Sequence, residues 1–393
     1  MKYPKPATRT RHILPFQAMS IFKRSAELAA QGKDIISLGI GEPDFSAPPA
    51  VVQALNKAAQ ASLGRYTPAL GIMPLREAIA QFYAQTFDAP VDPARVIVTA
   101  GASGALQLAT MALVNPGQNV LVPDPYYPPN INFVTAAGGH AKIIPTQAKD
   151  GFQPTCAQID SLWDDKTGGI MLASPSNPTG TSLQPDTVKE ILNYVQSRHG
   201  FAIMDEIYLG LSYGQTRHSA LRLSDDFIIL NSFSKYFHMT GWRLGWMIVP
   251  PHLVEPIEDL TSNLTICPPS LSQHAALACF TPDSLAIFEQ RRQAFKARRD
   301  FLVEALNQMG MTVPVVPDGA FYVYADISRF SNDSDHLASQ LLEQGGVAVV
   351  PGADFGPTHA KRMIRLSYTI GMDRLQKAVE RMRQVLIGSG PSA

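Results

Sequence analysis

Only three cysteines occur in 393 residues, Cys156, Cys267 and Cys279. A trio that is odd in number and widely spaced does not build a disulfide framework, and its spacing matches no metal-binding motif. The nine histidines are scattered, with no HExxH pair and no Cys/His cluster, which argues against a catalytic metal. No run of about 18 apolar residues occurs, so no membrane span is expected. The first residues, Met1 to Arg11, are rich in Lys, Arg and Pro and lack the apolar stretch of a secretory signal. Basic and acidic residues number 33 each, so no excess of charge calls for nucleic acid. There is no internal repeat and no low-complexity segment. What remains is an ordinary globular composition, long enough for two or three domains, for which small-molecule partners and a cytoplasmic location are expected.

Short apolar runs alternate with helical patterns. Arg95–Thr99, Asn119–Val122, Gly169–Leu172, Phe201–Met204 and Phe227–Leu230 are continuous rather than alternating, as strands buried on both faces of a parallel sheet should be. Gly104–Val114 and the amphipathic Pro185–Arg198 are the intervening helices. The reading is an α/β fold, a mostly parallel central sheet flanked by helices, with a smaller α+β domain. Boundaries fall at 49–282 for the large domain and 283–393 for the small one, with 1–48 packing against the latter. In the small domain the stretch Asp283–Gly310 reads as a helix with Arg291, Arg292, Arg298 and Arg299 on a solvated face. Strands are expected at Phe321–Ala325, Val347–Val350 and Ile364–Ser367, and helices at His336–Gln344 and from Asp373 onward.

In open parallel sheets ligands bind beyond the carboxyl ends of the strands, and there the informative polar residues fall. The first run leads into Gly101-Ala102-Ser103-Gly104, which is either a plain tight turn or an anion site at a helix N-terminus. The second ends in Tyr126-Tyr127, aromatics that cap the core or stack on a flat ring. The third ends in Ser174-Pro175-Ser176-Asn177-Pro178, whose prolines present the Asn177 amide or make an ordinary turn. The fourth stops on Asp205-Glu206-Ile207-Tyr208, where a carboxylate after four apolar residues needs a cation or donors. The fifth leads to Ser232-Phe233-Ser234-Lys235, with Arg243 following. Lys235 is either the partner of a structural ion pair with Asp205 or a nucleophile of lowered pKa. One ligand satisfies all five ends, with a phosphate, a stackable ring, a ring nitrogen, a phenolic oxygen and an aldehyde. That ligand is pyridoxal 5'-phosphate.

Assembled, these residues resemble the class I/II aminotransferases, the fold-type I pyridoxal-phosphate enzymes, from Ile35 to the C-terminal helix. The most specific pieces are Ser-Asn-Pro-Thr-Gly (176–180), Asp-Glu-Ile-Tyr (205–208) and Ser-Phe-Ser-Lys-Tyr-Phe-His-Met-Thr-Gly-Trp-Arg-Leu-Gly (232–245), with Gly-Glu-Pro-Asp-Phe (41–45) and Arg-Tyr-Thr-Pro (65–68) in support. The resemblance implies that Lys235 is the Schiff-base lysine and proton shuttle. It gives Asp205 the pyridine nitrogen, and Tyr208 and Asn177 the phenolic oxygen. Tyr127 would stack, while the Ala102 and Ser103 amides, Ser232 and Arg243 would hold the phosphate. Tyr66 would reach the phosphate of a neighbouring subunit, so a homodimer is implied. Arg365 would clamp the substrate carboxylate, helped by the backbone at Gly41.

The implied reaction is ping-pong transfer of an amino group from an L-amino acid to a 2-oxo acid, with 2-oxoglutarate the expected acceptor. A lyase on the same fold would share nearly every residue named. A non-catalytic regulator would need a DNA-binding domain, for which no basic recognition helix is found. Dedicated acidic-substrate enzymes of this branch often carry lysine where Ser103 stands, which disfavours a dedicated aspartate enzyme.

Overall fold

The structure is a computed structural model that describes residues 5–15, 18–214 and 217–388. The outermost residues of the first and last segments expected from sequence, 1–4 and 389–393, lie outside the described residues. In chain order the strands are β1 (Ile36–Ser37), β2 (Val96–Thr99), β3 (Asn119–Asp124), β4 (His140–Pro145), β5 (Thr167–Ala173) and β6 (Phe201–Asp205). They continue with β7 (Ile228–Ser232), β8 (Gly245–Ile248), β9 (Tyr322–Asp326), β10 (Val347–Ala348), β11 (Val350–Pro351) and β12 (Met363–Ser367).

Seven strands form one sheet in the order β2-β8-β7-β6-β5-β3-β4. Alternate residues of each strand enter different cores. Val96, Val98, Ile170, Leu172, Ala202, Met204, Ile229 and Trp246 lie in one apolar cluster. Ile97, Met171, Ile203, Ile228, Leu230 and Met247 lie in a second. Helix layers on both faces therefore explain why the strands read as unbroken apolar runs. The α/β class with a mostly parallel sheet is what the sequence predicts.

Two strands escape that reading. β4 is an edge strand, largely half-exposed, that begins with His140-Ala141-Lys142, so it lacks the apolar run that two-sided burial imposes. β8 is antiparallel to both β2 and β7. It is only four residues long and follows directly on the Lys235–Arg243 segment. Smaller boundary corrections follow from local hydrogen bonding. Arg95 ends a 3-10 turn, Pro93–Arg95, rather than starting β2. The helix after β2 begins at Gly101, so the Gly101–Gly104 turn is its first turn and not a loop before it. The expected strand Val347–Val350 is two strands in different sheets.

A three-stranded antiparallel sheet, β11-β12-β9, has β12 at its centre. β1 pairs in parallel with β10, and the Ser367 N–H donates to the Leu38 carbonyl at 2.6 Å. These contacts carry residues 39–41 past the small sheet towards the large one. The N-terminal stretch divides. Arg9 and Leu14 bond to Ala136 and Asn132, both in the helix Pro129–Ala136 that flanks the large sheet. No helix among the described residues is long and apolar enough to cross a membrane, and none of their His, Cys, Asp and Glu groups could hold a metal.

The helix Pro282–Met309 corrects one expectation. Arg292 and Arg298 are only 8% and 7% exposed, not solvated. Arg292 donates to the Ser212 carbonyl at 2.7 Å and pairs with Glu289. Arg298 donates to Asp44 at 2.8 Å and lies over the rings of Phe45 and Phe295. Helical period alone cannot show that a distant segment brings a carboxylate and a ring to one side. Arg298→Ala should therefore cost about 2–3 kcal/mol of stability, because it strips Asp44 of its partner and exposes the stack. Lys296→Ala, two residues away and half-exposed with Asp300 as its pair, should stay within about 0.5 kcal/mol. Urea unfolding of both variants measures this; equal shifts of the midpoint would contradict the burial argument.

Candidate active site

Beyond the ends of β5, β6 and β7 lies a cavity of about 200 Å³. Every sequence-predicted site residue lines it except Tyr66. Tyr66, 79% exposed, stands on the loop between helices Pro49–Gln60 and Met73–Phe87. Within one chain it takes no part in the cavity.

Asp205 is the last residue of β6 and 6% exposed. Its Oδ1 accepts the Ile207 N–H at 3.0 Å. Burial pushes its carboxyl up to about 6, against the pull of that N–H and of Lys235. Lys235 follows β7 and donates from Nζ to the Gly41 carbonyl at 2.7 Å. Burial brings its ammonium down to about 8; Glu42 opposes this, while Arg365 and Arg243 add to it. Asp205 and Lys235 thus face one cavity, but Lys235 is spent on a backbone carbonyl rather than on an ion pair with Asp205.

The loop after β5 is pinned from inside. Ser176, Thr179 and Thr181 form a hydroxyl chain with steps of 2.7 Å, ending on the Gly151 carbonyl. That chain fixes Asn177, whose Oδ1 accepts from Arg365 Nη1 at 2.9 Å. Arg365 comes from β12, the centre of the small sheet, and is 3% exposed. Its Nη2 donates to the Gly39 carbonyl at 2.5 Å, and its Nε has no partner. The guanidinium is held between the rings of Tyr322 and Phe355, at 4.4 and 4.8 Å. A surface ion pair is thereby ruled out: Arg365 is buried and meets no carboxylate among the described residues.

At the opposite end, the helix Gly101–Leu113 points its first turn at the cavity. The N–H groups of such a turn have no partner within the helix and favour an anion. Gly101 has φ +72°, and a Cβ there would stand 2.8 Å from Arg243 Nη2, so only glycine lets the guanidinium approach. Arg243 itself is left-handed, at φ 53°, which is uncommon for a side chain of its size. Ser232, the end of β7, accepts the Ser234 N–H at 3.0 Å. Tyr127 lines the wall, its hydroxyl pushed by burial up to about 12 and therefore neutral.

Sequence reasoning misses Tyr322 and Phe22. The Tyr322 hydroxyl is 2.9 Å from that of Tyr208; burial raises the Tyr208 phenol well above its usual range and the Tyr322 phenol above its ordinary value. A Cβ at Gly41 would run into the Tyr322 hydroxyl, so the glycine that receives Lys235 also makes room for it. Tyr322 and Tyr324 look alike in the apolar run of β9. Phe22 reaches the cavity from the helix Ala18–Ala30, far in sequence from every motif.

The sequence profile described as "Aminotransferase class I and II" matches residues 33–382. The chain is 37% identical to the valine–pyruvate aminotransferase of Mycobacterium tuberculosis, over 94% of this chain and 95% of that one. It is 34% identical to the aspartate aminotransferase of Geobacillus stearothermophilus, over 97% and 99%. Among solved structures, an aminotransferase from Mycobacterium tuberculosis superposes with a TM-score of 0.94 at 35% identity, covering 98% of this chain and 100% of that one. The aspartate aminotransferase from Thermus thermophilus with maleate gives 0.92 at 33% identity, with the same coverage.

The lowered proton affinity of Lys235 is directly measurable. An amine reacts with acetic anhydride only when neutral, and an ordinary lysine is half-neutral at about pH 10.4. In ligand-free protein, trace acetylation of Lys235 followed by mass spectrometry should reach half its plateau near pH 8. A midpoint at the value of the exposed lysines would show that burial does not act on it.

Proposed function

Because the chain belongs to the class I and II aminotransferases, which depend on pyridoxal 5'-phosphate, we propose that it moves an amino group from an L-amino acid to a 2-oxo acid by a ping-pong cycle, in a cytoplasmic homodimer. The observation that carries this reading is a single cavity faced by a half-buried amine of lowered pKa, a buried carboxylate and a buried arginine fork. The relatives act, by their names, on valine with pyruvate, on aspartate, and on aspartate or prephenate. They therefore do not fix the substrate of this chain.

The residues fit the cofactor on their own chemistry. Asp205 offers a buried carboxylate with one backbone donor, which suits a protonated ring nitrogen. The first turn of Gly101–Leu113, with Ala102 and Ser103 amides, Ser232 and Arg243, suits a phosphate. When bound, pyridoxal phosphate supplies a carbonyl that takes up the amino group and a ring that accepts the electron pair left at the α-carbon.

The chain does the rest. Lys235 Nζ, as a neutral amine, would take the α-proton and return it. Asp205 holds the proton on the ring nitrogen, which keeps the ring cationic. Tyr208 and Asn177 would hold the phenolic oxygen, and Tyr127, on the same cavity wall, would pack against the ring. Arg365 takes the substrate carboxylate with its planar fork, whose present partners, Asn177 Oδ1 and the Gly39 carbonyl, already fix its plane. The backbone of Gly41 receives Lys235 on the same side. Tyr66, exposed within one chain, would serve the site of a second copy.

Two measurements test the assignment. Borohydride reduction of the cofactor-loaded protein should leave a pyridoxyl group on Lys235, located by peptide mass spectrometry; an adduct on any other lysine would remove it from the site. Arg365→Lys keeps the charge and loses the fork. It should raise KM for the amino acid and lower kcat, reducing kcat/KM by roughly a hundredfold. Reaction with a simple amine that lacks the carboxylate should change little. An equal loss for both would take Arg365 off the carboxylate.

A further inference from the structure

The cavity wall joins two sheets, and the joint lies behind it. Asp124, the last residue of β3, is 0% exposed, and the chain runs on from it to Tyr127 on the wall. On the other side, the connection from β11 to β12 passes through the 3-10 turn Gly352–Phe355 and residues 356–362. The ring of Phe355 lies 4.8 Å from the Arg365 guanidinium.

Hydrogen bonds clasp the two together. Asp124 Oδ2 accepts the Thr358 N–H at 2.9 Å and the Thr358 hydroxyl at 2.6 Å. The Tyr126 N–H donates to the Phe355 carbonyl at 2.9 Å. Thr146 donates its N–H and hydroxyl to the Asp124 carbonyl, and its own carbonyl receives His359 Nε2 at 2.9 Å. Gly356 packs against the carboxylate itself. At φ 125° a Cβ there would run into Asp124 Oδ1, so any side chain would push the loop away. Asp124 Oδ1 meets no hydrogen-bond donor among the described residues. Burying a carboxylate with one oxygen unmatched is costly. What it provides is direction, because Oδ2 accepts the loop in one place.

We propose that Asp124 is a positioning residue for the Arg365 fork, acting through the Thr358 loop and the ring of Phe355. Asn177 Oδ1 and the Gly39 carbonyl hold the two Nη ends of the guanidinium. Tyr322 and Phe355 hold it by their rings, and only Phe355 belongs to the loop that Asp124 fixes. The clasp therefore sets the fork against the wall that carries Tyr127. This rests on the reading of Arg365 as the carboxylate fork of a transaminase. Every contact in the clasp is made within one chain.

The test uses the purified holoenzyme and follows cofactor absorbance in single half-reactions. The probes are the fastest-reacting of the common L-amino acids and isobutylamine, a primary amine without a carboxylate. The readout is the ratio of their second-order rate constants. Asp124→Ala should lower this ratio roughly tenfold by misplacing the fork, with isobutylamine nearly unaffected. Asp124→Asn keeps an acceptor oxygen and should restore most of the ratio. Thr358→Val removes only the hydroxyl bond and should give a smaller fall in the same direction; it decides alone where Asp124→Ala does not fold. Added to Arg365→Lys, Asp124→Ala should lower the ratio no further, since both act on one group. With Arg365→Lys alone showing its selective loss, three results overturn the role of Asp124: an unchanged ratio in both clasp variants, an equal loss for both probes, or a further fall in the double variant. If Arg365→Lys shows no selective loss, the fork reading fails, and the role of Asp124 with it. If no amino acid converts the cofactor in the unaltered protein, the transaminase reading itself fails.

Discussion

Helices cover both faces of the seven-stranded sheet, so its strands can carry polar side chains only where they end. A carboxylate in the middle of β6 would sit between two apolar clusters with no donor in reach. At the end of β6 it gains the Ile207 N–H and a cavity. The same constraint acts on β7, which ends in Ser232, and on β5, which opens into the Asn177 loop. Since β5, β6 and β7 are neighbours and parallel, their polar ends arrive together. The site is thus a consequence of two-sided burial before it is a catalytic device.

That placement holds charge where charge is disfavoured. Raising the Asp205 carboxyl to about 6 corresponds to about 3 kcal/mol of differential interaction between its two protonation states. Its sign is informative. With a folded pKa above the unfolded one, Asp205 binds more protons when folded between about pH 4 and 6, so stability falls as pH rises through that window. Lys235 shifts the other way: between about pH 8 and about pH 10.4 the folded chain has lost protons that the unfolded chain keeps, so its burial costs most below about pH 8 and the cost fades through that window. At neutral pH both costs fall on the protein without a ligand. A ligand with a cationic ring nitrogen and a carbonyl for the amine would remove both, which would couple its binding to stability.

The rim was legible in the sequence because every strand feeding it is a short apolar run that stops abruptly on a polar residue, a signal that needs no knowledge of partners. Where a partner decides the outcome, sequence fails. β4 is an edge strand with one neighbour, so it escapes the two-sided burial that makes the others visible. Arg298 looks solvated until Asp44 and Phe45 arrive from more than 250 residues away in the chain. Tyr66 is a site residue by resemblance, yet it lies exposed and outside the cavity of its own chain.

Tyr322 shows how the two sheets are made to act as one site. Its hydroxyl meets Tyr208, which follows β6 of the large sheet. Its ring supports Arg365, which belongs to β12 of the small one. Its hydroxyl also occupies the space that a side chain on residue 41 would need, and the Gly41 carbonyl is the acceptor of Lys235. Nothing in β9 marks Tyr322 off from Tyr324, two residues along the same strand and buried too. The difference is the β9–β12 register, which sets Ser367 opposite Tyr322 and Arg365 opposite Tyr324. Sliding that register by one residue would turn Arg365 to the other face of its sheet. The Lys235 amine and the Arg365 guanidinium are therefore held in mutual position by a strand pairing and one absent side chain.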